Sequence, residues 1–329
     1  MTIFGFDGAW SLGFRAVAGR FAGQAVIIVG VGIVAPLLLR LVLPGVTTGS
    51  TPVSAVFAGP SSAGAGGLAL IAALIGYVLQ TGSYFASWRY ALAGDESVGG
   101  ALGYGLLAGL VALLAVALAG AVLGFGVVWL RAIPGVAIVV GLILIVPLLM
   151  LFAIFYTALT AAFALILGLA LAITMILGVA LGNAGFAATL LGGGSGLVVV
   201  MLLVACALAL WIAARLSCAS SIMAESRSFN LIEAARASWA LTIDDQGRIM
   251  GYLALIGIGF AVILFALAAA IGMSIAGFGA VSIDPRGAVL AASLIGLIAG
   301  VPVAVLSVAV PAGIYRALNR SSEAALVFA

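Results

Sequence analysis

The sequence has no lysine and no histidine, only two cysteines, and charged residues at just 6% of its 329 positions. Each scarcity excludes something. Histidine is the commonest general base and metal ligand, and it is missing. Ser/His/Asp and Cys/His nucleophile arrangements are therefore excluded. Cys206 lies inside an apolar run and Cys218 just past Arg215, in none of the spacings of a metal site. They read as small inert residues. All twelve basic residues are arginine, scattered along the chain, and a net charge of +3 without a basic patch is no nucleic-acid footprint. A soluble domain covers its surface with roughly 25% charged residues. At 66% hydrophobic and a mean hydropathy of +1.43, most of this surface has lipid as its solvent.

What the chain does have is long apolar runs. A bilayer core takes about 20 apolar residues per helical crossing, and backbone groups in it must be satisfied internally, by helices or a closed barrel. The runs show no polar/apolar alternation at strand length, which excludes a barrel. The sequence thus predicts an all-α, polytopic transmembrane helical bundle of about 8 spans, one integral membrane domain over 1–329. The spans are expected at about 21–43, 67–86, 100–128, 134–156, 160–182, 196–214, 249–273 and 288–312, with a polar insert at 215–248. The stretch 134–182 is too long for one crossing at 1.5 Å per residue, and its turn is expected near Tyr156 to Thr160.

Arginine placement sets the orientation. With the N-terminus inside, Arg15, Arg20, Arg89, Arg215, Arg227, Arg236, Arg248, Arg316 and Arg320 are cytoplasmic, against Arg40, Arg131 and Arg286 outside. A single crossing at 134–182 would reverse the later six. The expected location is therefore a bacterial cytoplasmic (inner) membrane, multi-pass, with both termini cytoplasmic. The first span is expected to act as an uncleaved signal, since the N-terminal residues lack the pattern of a cleavable one.

Ahead of that span, Trp10, Phe14, Val17 and Phe21 recur at helical spacing, with Asp7 at the N-cap position. This reads either as a helix in the interface or as an extension of the first span. Ionisable residues inside a span mark ion paths and substrate sites, and none lies well inside a predicted one; Gln80 and Asn183 are the most polar candidates, near run ends. Asp95–Glu96 and Asp244–Asp245 are adjacent pairs, which point apart on a helix and read as solvated caps. Gly105 and Gly109 form one of several G-x-x-x-G pairs, suited to packing within the chain or to a dimer face.

The insert 215–248 is the most organised polar segment. Asn230 and Glu233 form a capping-box-like pair. Leu231, Ile232, Ala235 and Trp239 are expected on one helical face, and Glu233 and Arg236 on another. Thr242, with Asp245 three residues on, is expected to cap the next span. Leu231, Ile232, Glu233, Arg236, Trp239 and Arg215 are the candidate interface to a partner or to lipid headgroups; the other reading is a device that orients the seventh span.

The residues Arg215, Leu216, Ser217, Glu233, Ala234, Arg236, Ser238 and Trp239 also carry a resemblance. The order Arg-Leu-Ser, then Glu-Ala-x-Arg-x-Ser-Trp, resembles the membrane domain fused to some bacterial glycerophosphoryl diester phosphodiesterases and found in stand-alone membrane relatives. About 40 residues match; after Trp239 the family's basic and aromatic residues give way to Asp244-Asp245-Gln246-Gly247. The fused enzymes' activity belongs to a soluble barrel that uses histidine and clustered acids. The resemblance therefore implies a membrane module without a catalytic domain. The expectation is a non-enzymatic scaffold or accessory protein, with no cofactor, catalytic residue or metal site. Its partners would be the lipid bilayer and a membrane protein or a second copy, with no nucleic acid. The alternative is a transporter or lipid-handling permease.

Overall fold

In a computed structural model, the described residues are 4–42, 63–94, 96–130, 195–259 and 301–319, with ten more at 150, 151, 153–157, 160, 168 and 262. Among them every regular element is helical. The elements are α1 (Phe6–Ala18), α2 (Phe21–Ala25), a π-helical segment (Val26–Val34), α3 (Ala35–Val42), α4 (Ala63–Leu92) and α5 (Val98–Leu130). Then come α6 (Ser195–Arg215), α7 (Ala219–Ser226) and α8 (Leu231–Leu241). Two further helices are α9 (246–259) and α10 (Val301–Asn319), and the described residues 150, 151, 153–155, 157, 160, 168 and 262 are also helical.

Five stretches are long and apolar enough to cross a membrane: Phe21–Leu39, Leu70–Leu92, Val98–Ala121, Leu203–Ser226 and Val301–Asn319. They coincide with five of the expected spans, and three of them run further at their charged ends. The second expected span stops at 86, but α4 continues to Leu92; the last stops at 312, but α10 continues to Asn319. The first half of 249–273 is helical as α9, and most of 134–182 lies outside the described residues. The turn expected near Tyr156 to Thr160 lies partly outside the described residues, since 158 and 159 are not among them; Tyr156 is not helical, and the Thr160 amide donates to its carbonyl at 2.7 Å.

Leu107, Leu110, Leu114 and Leu118 lie along one face of α5 and are exposed. A soluble protein rarely leaves such a stripe uncovered. Inside the bundle the packing is equally apolar: Trp88 meets Phe85 edge-on at 5.1 Å, Phe85 meets Phe155 at 5.7 Å, and Trp88 Nε1 donates to the Val308 carbonyl at 3.0 Å.

Small residues set the closest helix approaches. A Cβ at Gly105 would lie 2.2 Å from the Gly82 carbonyl, and one at Gly109 2.6 Å from that of Val78. This G-x-x-x-G pair therefore packs α5 on α4 within the chain. A Cβ at Gly13 would lie 2.1 Å from the Ala309 carbonyl, and one at Gly313 2.2 Å from that of Ala9, so α1 crosses α10 backbone to backbone. The bundle-facing stripe of α1 is thus Ala9, Gly13, Ala16 and Val17, and Trp10 of the expected aromatic face points outward. Arg20 leaves helical geometry at φ −132°, ψ 43°, so α1 is an element separate from the first span. Gly5, not Asp7, holds the N-cap position; Asp7 sits in the first turn.

Candidate functional site

Helices end with carbonyls that have no intrahelical partner, and at one end of this bundle arginines fill those vacancies. Arg89, in the last turn of α4, donates through Nη1 to the carbonyls of Ala224 (3.0 Å) and Glu225 (2.6 Å) at the end of α7. Arg20, at the α1–α2 break, reaches the carbonyls of Tyr90 (3.2 Å), Ala93 (3.4 Å) and Glu96 (3.4 Å) at the end of α4 and the turn after it. Its guanidinium lies 4.9 Å from the centre of the Tyr90 ring. Arg316 of α10 donates to the Ala91 carbonyl at 2.7 Å, and the Tyr315 hydroxyl to Glu225.

Glu96 joins these pieces. Its carboxylate pairs with Arg89 Nη2 at 2.8 Å and with Arg227 Nη2. The Arg227 hydrogen bond, followed by the charge and hydrogen bond of Arg89, holds the carboxyl below the usual range against the opposing effect of desolvation. Arg227 ends α7 in a left-handed conformation, φ 53° and ψ 24°, the only non-glycine positive φ among the described residues. That turn aims its side chain back at the α4–α5 connection. Glu96 is therefore no solvated cap: its side chain is 8% exposed, and Ser97 caps α5 by accepting from the Gly100 amide at 3.1 Å. The clamp borders a cavity of about 620 Å3, lined by Arg89, Gly94, Glu96, Ser97, Glu225 and Arg227 among others.

The insert builds a second junction. Asn230 caps α8 by accepting from the Glu233 amide at 3.2 Å, and its Nδ2 donates to Glu233 Oε2 at 3.2 Å. Glu233 thus turns back to the cap rather than toward Arg236. Ser238 donates to the Arg215 carbonyl at 2.8 Å and accepts from the Cys218 amide at 3.2 Å. The Arg215 guanidinium sits 5.0 Å from the Trp239 ring and 5.9 Å from that of Trp211. Thr242 Oγ1 donates to the Ser238 carbonyl at 2.9 Å and shares the Arg215 carbonyl, so it closes α8 instead of capping α9. Asp245 starts α9, accepting the Ile249 amide on its carbonyl and pairing with Arg248 at 3.1 Å.

This docking divides the six candidate interface residues. Arg215 is buried, and Leu231 and Trp239 pack against the core. Ile232 (67% exposed), Glu233 and Arg236 face outward. Ile232 thus leaves the face expected for it, because the docked stripe runs through Ala234 and Ser238. Of the residues on which the resemblance was read, Arg215, Leu216 and Ser217 lie on one side of this junction and Ala234, Ser238 and Trp239 on the other, whereas Glu233 and Arg236 face outward.

Sequence reasoning named Gln80 but missed the clamp and the buried polar residues on and beside α4. Arg89 and Arg215 lie in the last turns of membrane-length helices, further in than the run ends suggested. Gln24, in the first span, is buried and donates to the Ser87 carbonyl at 3.0 Å. Thr81 Oγ1 and Tyr156 Oη share a hydrogen bond of 2.5 Å, and Gln80 Nε2 donates to Tyr84 Oη at 3.5 Å. The signal for these residues was the run Gln80-Thr81-Gly82-Ser83-Tyr84, too polar for a lipid-facing helix end. Among the described residues no three His, Cys, Asp or Glu side chains come together as a metal site would need. Comparisons with family models, curated proteins and solved structures found no match.

Proposed function

We propose that this chain is a non-enzymatic multi-pass protein of the bacterial cytoplasmic membrane, a scaffold or accessory subunit that engages lipid or a partner at its cytoplasmic end through α8. The carrying observation is the asymmetry of α8. Ser238, Thr242 and Trp239 hold it on the end of α6, which leaves Ile232, Glu233 and Arg236 pointing away from the bundle. A helix fixed by one polar stripe and presenting a mixed apolar and charged outer face suits a headgroup layer or a partner helix. The arginine bias supports the orientation.

A nitroxide at position 232 of the reconstituted protein tests this. Collisions with oxygen should exceed those with a water-soluble nickel complex. If the label is in water and native purification retains no stoichiometric partner, the reading fails.

The buried hydroxyls and amides along α4 favour a second reading, a transporter or lipid-handling permease. Thr81, Tyr84, Tyr156 and Gln24 bring hydrogen-bonding groups into the interior of an otherwise apolar bundle, the kind of lining a substrate path uses. Solute uptake by proteoliposomes that is lost in Thr81→Val would support this over the scaffold.

A further inference from the structure

A cavity of about 280 Å3 opens between the start of α1, α9 and α10. Tyr252 and Ile256 form its buried floor, with the Phe4, Phe6 and Tyr252 rings 5.8–6.2 Å apart. Its rim is exposed: Phe6 is 41%, Trp10 45% and Leu255 61% accessible. Leu255 continues into Ile258, also exposed, along the outside of α9. The groove is therefore continuous with the surface that faces the acyl chains. Its volume sits at the small end of ligand sites, enough for part of one chain.

Asp7 is the single charged residue lining the groove. It is exposed, and no hydrogen bond or ion pair among the described residues engages its carboxylate. Trp10, one turn on, is the residue type that settles at the headgroup level of a bilayer. The crossing of Gly13 on Gly313 fixes α1 in this place. A carboxylate at the mouth of an apolar groove selects by charge: it repels an anionic headgroup and accepts charge-assisted hydrogen bonds from an ammonium that carries N–H donors.

We propose that this groove holds one phospholipid with an ethanolamine-type headgroup, its ammonium on Asp7 and an acyl chain against Phe6, Trp10 and Leu255. A choline headgroup has the charge but no N–H to donate, so it binds less well. The site is separate from the α8 surface and stands or falls independently of it.

The test is native mass spectrometry of the full chain, released from bilayers with equal parts ethanolamine, choline and glycerol phospholipids of one acyl composition. The expected species is a monomer with one ethanolamine lipid retained. Asp7→Asn should cut the preference over choline by about tenfold. Asp7→Glu, which keeps the charge, should retain the preference, and Trp10→Ala should weaken retention of every lipid. Asp244→Asn, on the exposed turn before α9, should change nothing. Equal retention of the three lipids, an intact preference in a folded Asp7→Asn, or an equal loss in Asp244→Asn overturns the proposal. A lipid-free dimer also overturns it, by giving the groove to a second copy. If Asp7→Asn does not fold, loss of the preference in a folded Asp7→Glu overturns it as well.

Discussion

Replacing Glu96 with glutamine keeps the shape of the clamp and removes the negative charge held between Arg89 and Arg227. Arg89 then stays buried opposite a neutral amide. Breaking a fully buried ion pair costs roughly 3–5 kcal/mol, whereas exposed pairs contribute about 0.2–1 kcal/mol. This site lies between the two. Arg89 keeps the Ala224 and Glu225 carbonyls as acceptors, and Arg227 is 62% exposed on its side chain. The expected cost is about 2 kcal/mol, a drop of about 3 °C in Tm followed by tryptophan fluorescence in detergent. Arg227→Ala removes only the water-facing half and should cost below about 1 kcal/mol. The double variant should be little worse than Glu96→Gln alone, because both act on one carboxylate.

Acid adds a second signature. The folded carboxyl titrates below its ordinary value of 4.5. Its contribution is therefore complete above that value and is lost as pH falls through the depressed folded value. Glu96→Gln should lack that loss. Equal midpoints for Glu96→Gln and Arg227→Ala, or fully additive costs, would refute the clamp as the joint between α4, α5 and α7.

Ser238→Ala leaves the Cys218 amide without its acceptor in a buried junction, so about 1–3 kcal/mol of local stability should go. Faster proteolysis within 227–245 would report α8 lifting off; an unchanged pattern would contradict the docking. Gly313→Val places side-chain atoms where the Ala9 carbonyl lies, and it should displace α1 and raise cleavage within 6–20. Unaltered cleavage would mean that α1 does not depend on that crossing. Trp88→Phe deletes the hydrogen bond to Val308 and shrinks a fully buried indole to a phenyl, so it should cost at least about 1 kcal/mol in the same fluorescence assay; no shift in midpoint would remove that bond from the account.

Composition and apolar run length made the membrane-spanning helices legible, because both follow from residue type alone. The Asn230 cap was legible for the same local reason: donor and acceptor are three residues apart. The clamp was not. Arg89 and Glu96 are seven residues apart across a turn, and Arg227 meets Glu96 from 131 positions away. No pattern in either segment specifies that meeting. Gly13 and Gly313 are likewise unremarkable among 45 glycines until α1 is laid on α10. The helical period of α8 was right in sequence, but its rotation was set by Ser238 and Ala234, so Ile232 fell on the outer side. Nothing in Val26–Val34 marks it as π-helical.

The central claim is that the charged end of the bundle, with the clamp and α8, meets the cytoplasm. Ser226→Cys, at the edge of the 620 Å3 cavity, allows a direct measurement. In a background with Cys206 and Cys218 changed to alanine, a membrane-impermeant maleimide should leave position 226 unlabelled in intact cells and label it after lysis. Full labelling in intact cells would place this end outside and contradict the account.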